Sequence, residues 1–131
     1  MKKSVYLAGK MEGLTTKEIM NWRRDAKYRL QDLCDVKFAR PVTNIKHFNE
    51  IWDRDYFLLD SSDIILVNFD YDNDSPFLGT SMEIARAYYQ RKPIVIFSSK
   101  DWVKNNFTLQ YHATCIVDTL EEATDFITEL L

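Results

Sequence analysis

Glu83 is the residue of this chain whose type and position most directly suggest chemistry. It follows Gly79-Thr80-Ser81 near the start of a predicted helix, and that helix connects two very apolar segments. A carboxylate there would lie at the mouth of a parallel sheet, where an α/β enzyme can hold a nucleophile. Thr80-Ser81-Met82-Glu83 also fits a capping box, in which the glutamate bonds back to the cap residue. On these residues alone, with Gly79 permitting a tight turn, the capping interpretation is the stronger.

A second carboxylate, Asp55, is expected on the helix before the central strand, eight residues ahead of Asp63. If Asp55 faces the same cleft as Glu83, the two carboxyls can be driven to different pKa values, one ionised to attack and one handling protons. Most acidic side chains in such segments are solvated, and Asp63 can simply bond backbone groups at the start of the strand. Near the end of the first strand, Tyr6 either points its hydroxyl into the cleft or packs its ring in the core.

The loop after the first strand carries two glycines, Gly9 and Gly13, on either side of Lys10. Glycines let backbone N–H groups approach a ligand, and the following helix offers its positive end. The loop is neither a dinucleotide fingerprint nor a P-loop, since it lacks the third glycine and the Gly-Lys-Ser/Thr ending. A flexible turn without a ligand explains it equally well, and Lys10 either meets an anion or is solvated.

Strand and helix candidates alternate along the chain, which predicts the elements that position these residues. Strands are predicted at 5–8, 36–42, 63–69, 93–97 and 115–117. Helices are predicted from a capping box at Thr15 through apolar positions 19–33, at 51–59, from Gly79 onward, and after a cap at Thr119. The expected fold is an α/β three-layer sandwich, flavodoxin- or Rossmann-like, whose five-stranded parallel sheet has helices on both faces. Ligands bind such sheets where the strand order reverses, which singles out the loops after strands one and three.

Composition predicts one compact domain over 1–131 and excludes several functional classes. The 131 residues are 46% hydrophobic, and the net charge of −3 gives no general reason to expect nucleic-acid binding. No run approaches the roughly 20 apolar residues of a membrane span, and the N-terminal segment is unlike a signal peptide. The two cysteines, Cys34 and Cys115, and the two histidines, His47 and His112, are widely separated, so we expect reduced thiols, a cytoplasmic location and no metal site.

Three blocks of the sequence, taken in order, resemble the nucleoside 2-deoxyribosyltransferase superfamily, which also contains deoxynucleotide N-hydrolases. The first block is residues 5–9, Val-Tyr-Leu-Ala-Gly. The second is Asp55 with 62–67, and the third is 79–84 with Ala87 and Lys92-Pro93. Each block is short, but their order and spacing are fairly specific and extend from the first strand to the fourth.

The resemblance implies that Glu83 attacks the anomeric carbon of a deoxyribose. Asp55 matches the carboxylate that contacts the base and assists its departure, and Tyr6 matches a tyrosine that orients the nucleophile. Gly9 belongs to the sugar-side loop, and Asn106 loosely matches a side chain that reaches a neighbouring subunit's site. The implied substrates are a nucleoside or nucleotide and a free nucleobase, with no metal or cofactor, in a homo-oligomer. The expected substrate-binding residues are Gly9, Lys10, Phe77, Gly79 and Asn106.

Departures from the family pattern leave the branch open. Nucleotide hydrolases of the family tend to carry an arginine and a serine where Glu12 and Phe77 stand. A negative Glu12 and an apolar Phe77 fit a phosphate poorly. Lys10 and Ser75 are possible substitutes. Transferases tend to carry an aspartate at the position of Phe77, which Asp74 or Asp72 supplies only if the loop shifts, and some end in a tyrosine that this sequence lacks. The leading expectation is a deoxyribosyltransferase, and the alternatives are a 5′-monophosphate N-hydrolase and a non-catalytic nucleotide-binding module.

Overall fold

The computed structural model describes residues 2–41, 48–72 and 77–131, and a parallel sheet runs through them. Its strands are β1 (Ser4–Gly9), β2 (Asp35–Lys37), β3 (Ile64–Asn68), β4 (Ile94–Phe97) and β5 (Cys115–Val117). They lie in the order β2-β1-β3-β4-β5, and every neighbouring pair is parallel. This confirms the predicted five-stranded parallel sheet, in the strand order of flavodoxin-like folds.

Helices cover both faces of the sheet and complete the predicted three layers. They are α1 (Thr16–Leu30), α2 (Phe48–Asp60), α3 (Leu78–Tyr89), α4 (Asp101–Lys104), α5 (Phe107–His112) and α6 (Leu120–Leu130). One buried cluster joins odd-numbered β3 residues such as Ile65 to α2, α3, α4 and α5. The other joins even-numbered β3 residues such as Ile64 to α1 and α6. All of β3 is buried, because alternate residues of this continuous apolar run face a helix layer on each side.

The strand order reverses between β1 and β3, which pair from Val5 with Ile64 to Gly9 with Asn68. From β1 the chain crosses through α1 to the β2 edge, whereas from β3 it crosses through α3 toward β4. The two connections diverge and leave a crevice at the carboxyl ends of β1 and β3. The structure thus shows the reversal of strand order at β1 and β3, the two strands that the sequence analysis singled out.

Several predicted boundaries are wrong. The second strand is only Asp35–Lys37 instead of 36–42, because only Ser4–Tyr6 of β1 pairs with it; Val42 lies outside the described residues. The first helix ends at Leu30, so Leu33 follows it and is 49% exposed. The sequence did not predict α4 and α5, since helices of four and six residues are too short to display a helical period.

Two of the three predicted helix caps are confirmed. Thr15 forms the full capping box with Glu18, and Thr119 accepts a hydrogen bond from the backbone N–H of Glu122. The box predicted at Thr80-Ser81-Met82-Glu83 is wrong, because α3 already begins at Leu78 and its first residues are helical. The Ser81 N–H bonds to the Phe77 carbonyl at 2.9 Å, and no side chain caps this helix. Glu83 is therefore freed from a capping task.

Gly79 lies inside the first turn of α3, not in the tight turn predicted for it. A Cβ at this position would lie 3.1 Å from Cη2 and 3.2 Å from Cζ2 of Trp52, on α2. The absence of a side chain therefore serves close contact between the two helices.

The other ends of α2 and α3 are joined by polar contacts. Asp60 accepts two hydrogen bonds of 2.8 Å from Arg86 and one of 2.7 Å from Gln90. The Arg86 bonds are the main cause that lowers the pKa of Asp60 to about 2. Lys92 donates to the carbonyls of Leu59 and Asp60. The two helices that flank the crevice are thus fixed at both ends.

No helix within residues 2–41, 48–72 and 77–131 combines the length and apolar character needed to cross a bilayer. In the same part of the chain, His, Cys, Asp and Glu side chains form no group of three or more that could hold a metal ion. His47 lies outside the described residues.

Thr15 caps α1, whereas Ser81 lies within α3, so substitution by alanine should affect the stability differently at the two positions. Thr15→Ala removes a cap and should lower the free energy of unfolding by about 1 kcal/mol. Ser81→Ala replaces an exposed residue inside a helix and should leave the stability unchanged or raise it by up to about 0.5 kcal/mol. Urea unfolding followed by circular dichroism measures both. A loss of about 1 kcal/mol in Ser81→Ala would show that Ser81 caps α3 after all.

Candidate active site

A cleft of about 690 Å³ opens at the carboxyl ends of β1 and β3, between the start of α1 and the facing helices α2 and α3. Tyr6, Glu83 and Asp55 all line it. The residues predicted to do chemistry, which are far apart in sequence, are therefore brought together in one cavity. Its apolar walls include Leu14, Ile19, Ile51, Trp52, Phe77 and Met82.

Tyr6 and Glu83 form a buried pair at the base of this cleft. The Tyr6 hydroxyl donates to Oε2 of Glu83 at 2.5 Å, and the two residues are only 2% and 7% exposed. Tyr6 lies on the face of β1 that packs against α3, which carries Glu83 one and a half turns into the helix. Both alternatives for Tyr6 therefore hold at once, because its ring is in the core and its hydroxyl reaches the carboxylate.

Burial raises the pKa of Glu83 to about 7. The Tyr6 hydrogen bond and the positive charge of Arg23 oppose this rise, while the negative charge of Asp55 adds to it. Burial and the adjacent carboxylate also raise the pKa of Tyr6, so Tyr6 stays a neutral donor. The result is a carboxyl that is close to half ionised at neutral pH and held in a fixed orientation.

Asp55 lies on α2, across the cleft, with 15% of its side chain exposed. Arg54 donates from Nε to its Oδ1 at 3.1 Å. Burial raises the pKa of Asp55, and Arg54 and then Arg23 partly offset the rise. Asp63 does not join this site: its carboxylate accepts from the backbone N–H of Ser4 at 2.8 Å, at the amino end of the sheet. The structural interpretation of Asp63 is therefore confirmed.

Gly9 ends β1 at the cleft, where its contacts require a glycine. A Cβ on Gly9 would lie 2.8 Å from Cζ2 of Trp22, closer than side chains pack. The Gly9 carbonyl accepts a hydrogen bond of 3.1 Å from Arg23. Lys10, the next residue, lines the cleft with its Nζ 5.9 Å from the centre of the Phe77 ring.

Phe77, placed where the family pattern led us to expect a polar residue, is part of an aromatic cluster. Its ring centroid lies 4.7 Å from that of Phe69, 5.5 Å from Tyr71 and 5.6 Å from Trp102. Phe77 also lines the cleft, as do Gly79 and Trp52. The apolar side chain therefore has a packing partner on one side and a possible ligand contact on the other.

Two other predicted positions stand apart from this cluster. Asn106 caps α5 by accepting from the Leu109 N–H at 3.0 Å, and it does not line the cleft. Asp72 is exposed and pairs with Lys100 at 3.3 Å. Ser75 and Asp74 lie outside the described residues.

Arg23 and Trp52 line the cleft, yet the sequence interpretation did not select them. A signal for Arg23 was present: it occupies the same helical stripe as Ile19, Ala26 and Leu30, all of which are buried. A charged residue within an apolar stripe indicates a buried cation. Trp52 had no comparable signal, because one more aromatic residue on a helix usually packs in a core.

Solved structures with this fold cover almost the whole chain. A 2-deoxyribosyltransferase from the psychrotolerant bacterium Bacillus psychrosaccharolyticus is 18% identical, with a TM-score of 0.72 over 93% of this chain and 90% of that one. A 2-desoxiribosyltransferase from Leishmania mexicana is 20% identical, with a TM-score of 0.69 over 97% of each. A conserved protein from Enterococcus faecalis V583 is 14% identical, with a TM-score of 0.70 over 100% of both. No protein-family model and no curated protein sequence matches the chain.

At these identities the likeness establishes a shared fold, and two of these three proteins are deoxyribosyltransferases by name. A fold of this kind hosts many functions, so the chemistry has to be argued from the site itself.

The burial of Glu83 predicts a pH-dependent stability. Its pKa rises from 4.5 to about 7 on folding, so the folded protein retains a proton that the unfolded chain releases in this interval. The stabilisation that this proton provides is complete below about pH 4.5 and is lost as the pH rises through about 7. The free energy of unfolding should fall over this interval by an amount on the order of 3 kcal/mol. Glu83→Gln cannot ionise and keeps an acceptor for Tyr6. Its stability relative to the natural protein should therefore rise by that amount between pH 4.5 and pH 8.

Urea unfolding at a series of pH values measures this difference. The exposed Glu129→Gln is the matched control and should show no such trend. A stability difference that is flat with pH would mean that Glu83 is not buried in a proton-retaining form.

Proposed function

We propose that this protein cleaves the N-glycosidic bond of 2′-deoxyribonucleosides and transfers the 2-deoxyribosyl group to another nucleobase. The observation that carries the proposal is the buried Tyr6–Glu83 hydrogen bond facing Asp55 in one cleft. The shared fold with two 2-deoxyribosyltransferases adds support.

In the first step, the ionised carboxylate of Glu83 attacks C1′ of the sugar. The C1′–N bond breaks, its electron pair goes to the base, and a proton from Asp55 neutralises the leaving nitrogen. Burial raises the pKa of Asp55, which is the direction that a proton donor needs. Positive charge that develops on the sugar is stabilised by the adjacent carboxylate, as in retaining glycosidases. The product is a deoxyribosyl ester of Glu83 and a free base.

In the second step, a nitrogen of an incoming base attacks C1′ from the side that the first base left. The ester bond to Glu83 breaks, and the carboxylate is regenerated. Asp55 takes up the proton that the incoming nitrogen loses, so each round ends with both carboxyls as they began. The Tyr6 hydroxyl keeps its hydrogen bond to Oε2 and so orients the other oxygen of Glu83 toward the sugar.

The cleft walls suit a flat, weakly polar group. Trp52 and Phe77 both line the cavity, and aromatic faces of this kind stack on nucleobases. Stacking selects for a ring more than for a hydrogen-bonding pattern. We therefore infer that the base is held chiefly by shape.

A second candidate is hydrolysis of a deoxynucleoside 5′-monophosphate, in which water replaces the incoming base. The cations along the cleft favour it, since Lys10 and Arg40 line the cavity together with the glycine loop. A nucleotide-binding module without catalysis is the third candidate. Such a module has no need of a buried nucleophile and proton donor in one cavity, which argues against it.

A homo-oligomer stays a prediction. Exposed aromatic side chains that an interface would use include Tyr89, Phe107 and Tyr111, which are 85%, 82% and 70% exposed.

Exchange and trapping test the assignment of Glu83. Incubation with a deoxynucleoside and a second free base should yield the exchanged nucleoside. Mass spectrometry of the acid-quenched protein should find a deoxyribosyl adduct on the peptide that contains Glu83. Glu83→Gln should lose at least about 10³-fold in rate and lose the adduct, whereas Glu129→Gln should retain both. Full activity in Glu83→Gln would refute the nucleophile, whichever branch applies.

The same assay separates the branches. Faster turnover of the 5′-monophosphate than of its nucleoside, with free base released and no exchange, would assign the hydrolase. Calorimetric binding of either without turnover over days would assign the binding module.

The role of Asp55 as a proton donor has its own test. A leaving base that needs no proton should not depend on Asp55. Asp55→Asn should slow cleavage of deoxyguanosine by about 10²-fold. The loss should be much smaller for 7-methyl-2′-deoxyguanosine, whose base already carries a positive charge. Asp53→Asn, an exposed residue of the same helix, is the control and should alter neither rate. Equal losses on both substrates would assign Asp55 to binding instead of proton transfer.

A further inference from the structure

Arg23 is a buried cation that none of the described residues balances with an ion pair. The residue is 1% exposed, and its guanidinium contacts no carboxylate within ion-pair distance among residues 2–41, 48–72 and 77–131. Nη1 donates to the Ile19 carbonyl at 2.7 Å and Nη2 to the Gly9 carbonyl at 3.1 Å. Its Nε has no hydrogen-bond partner within the described structure.

A buried charge of this kind is costly unless something nearby compensates it. The Trp22 ring lies 4.7 Å from the guanidinium carbon and covers one face of the group. The two carbonyls satisfy part of its donors. Since an arginine side chain does not give up its proton in proteins, the positive charge persists at every working pH. The carboxyls of Glu83 and Asp55, which line the same cleft, supply the remaining compensation.

The position of Arg23 brings its charge to bear on the catalytic carboxyls. It projects from α1, on one side of the sheet, to the end of β1 and lines the cleft with Glu83 and Asp55. Gly9 accepts its hydrogen bond, and the Trp22 ring that covers the guanidinium lies where a Cβ on Gly9 would be only 2.8 Å away. The positive charge of Arg23 lowers the pKa of both Glu83 and Asp55 against the effect of burial.

The groups that act on Glu83 come from three elements. Tyr6 contacts it from β1, Asp55 faces it from α2, and Arg23 faces it from α1. The other charged groups along the cleft are Lys10, Glu12, Arg40 and Arg54. Arg54 is committed to Asp55, and Arg23 is the cation whose charge acts on the pKa of Glu83.

We propose that Arg23 is a positioning residue for the proposed reaction: its buried guanidinium anchors the end of β1 and supplies a fixed positive charge to the cleft that favours the ionised form of Glu83. The proposal rests on the proposed function only in giving that ionisation a catalytic use. The electrostatic coupling itself is a property of the folded protein.

The experiment measures the ionisation of Glu83 directly and then through activity. The ¹³C signal of the Glu83 carboxyl, assigned by its absence in Glu83→Gln, is titrated in the natural protein and in two neutral variants, Arg23→Gln and Arg23→Met. Each neutral variant should raise the midpoint of the titration by about one pH unit. Arg23→Lys, which keeps the charge, should move it by less than half as much. The neighbouring exposed Arg24→Gln is the control and should leave it unchanged.

The acid limb of kcat/KM against pH should follow the same midpoints. Below the midpoint, the neutral variants should lose about tenfold in kcat/KM, and the loss should shrink toward high pH, where Glu83 is ionised in every variant. A merely structural role would lower activity at all pH values alike. A role in binding an anionic substrate would raise KM without moving the limb. Either of these results overturns the proposal.

The two neutral variants protect the test against misfolding. Removal of a buried charge that lacks an ion-pair partner is often tolerated when an apolar side chain of similar length replaces it, so Arg23→Met should retain the circular dichroism of the natural protein. An unchanged carboxyl midpoint in a folded neutral variant overturns the proposal. Shifted midpoints in a protein that shows no Glu83-dependent cleavage would support the role of Arg23 in ionisation and reject the proposed function alone.

Discussion

The buried hydrogen bond between Tyr6 and Glu83 is the contact on which the rest of the site depends. It joins the first strand to the third helix at the place where the strand order of the sheet reverses. An ionisable carboxyl that is 7% exposed is unfavourable for folding, and one hydroxyl donor does not compensate for it fully. The cleft, the opposing carboxyl of Asp55 and the cation of Arg23 are all arranged around this one unfavourable group. Such strain is typical of a site that performs chemistry.

Much of the fold could be predicted because hydrophobic patterns determine it locally. The run from Ile64 to Val67 is apolar at every position, which is typical of a strand covered on both faces. Thr15 and Thr119 have the residue types that cap helices, and both do so. Once the strands alternate with helices, handedness and twist leave few topologies, and the crevice follows from the strand order.

The details of the site could not be predicted, because they depend on distances between elements. The pattern Thr80 to Glu83 matches a capping box in sequence, yet α3 already begins at Leu78, with Phe77 packed against the core just before it. Whether Glu83 bonds to its own backbone or to Tyr6 is settled by how closely α3 approaches β1. The partner of Asn106 likewise depends on a six-residue helix that has no visible period. Local pattern identified the residues, and tertiary packing decided what they contact.

Gly79 and Trp52 meet where α3 and α2 border the cleft, and both residues line it. Polar contacts around Asp60 join the far ends of α2 and α3. At the ends that border the cleft, the indole lies where a single added carbon would already be 3.1 Å away. The spacing of the two helices is thus set by contacts at both ends of the pair. A side chain at position 79 would therefore have to displace the Trp52 indole slightly, and that indole is itself a wall of the cavity.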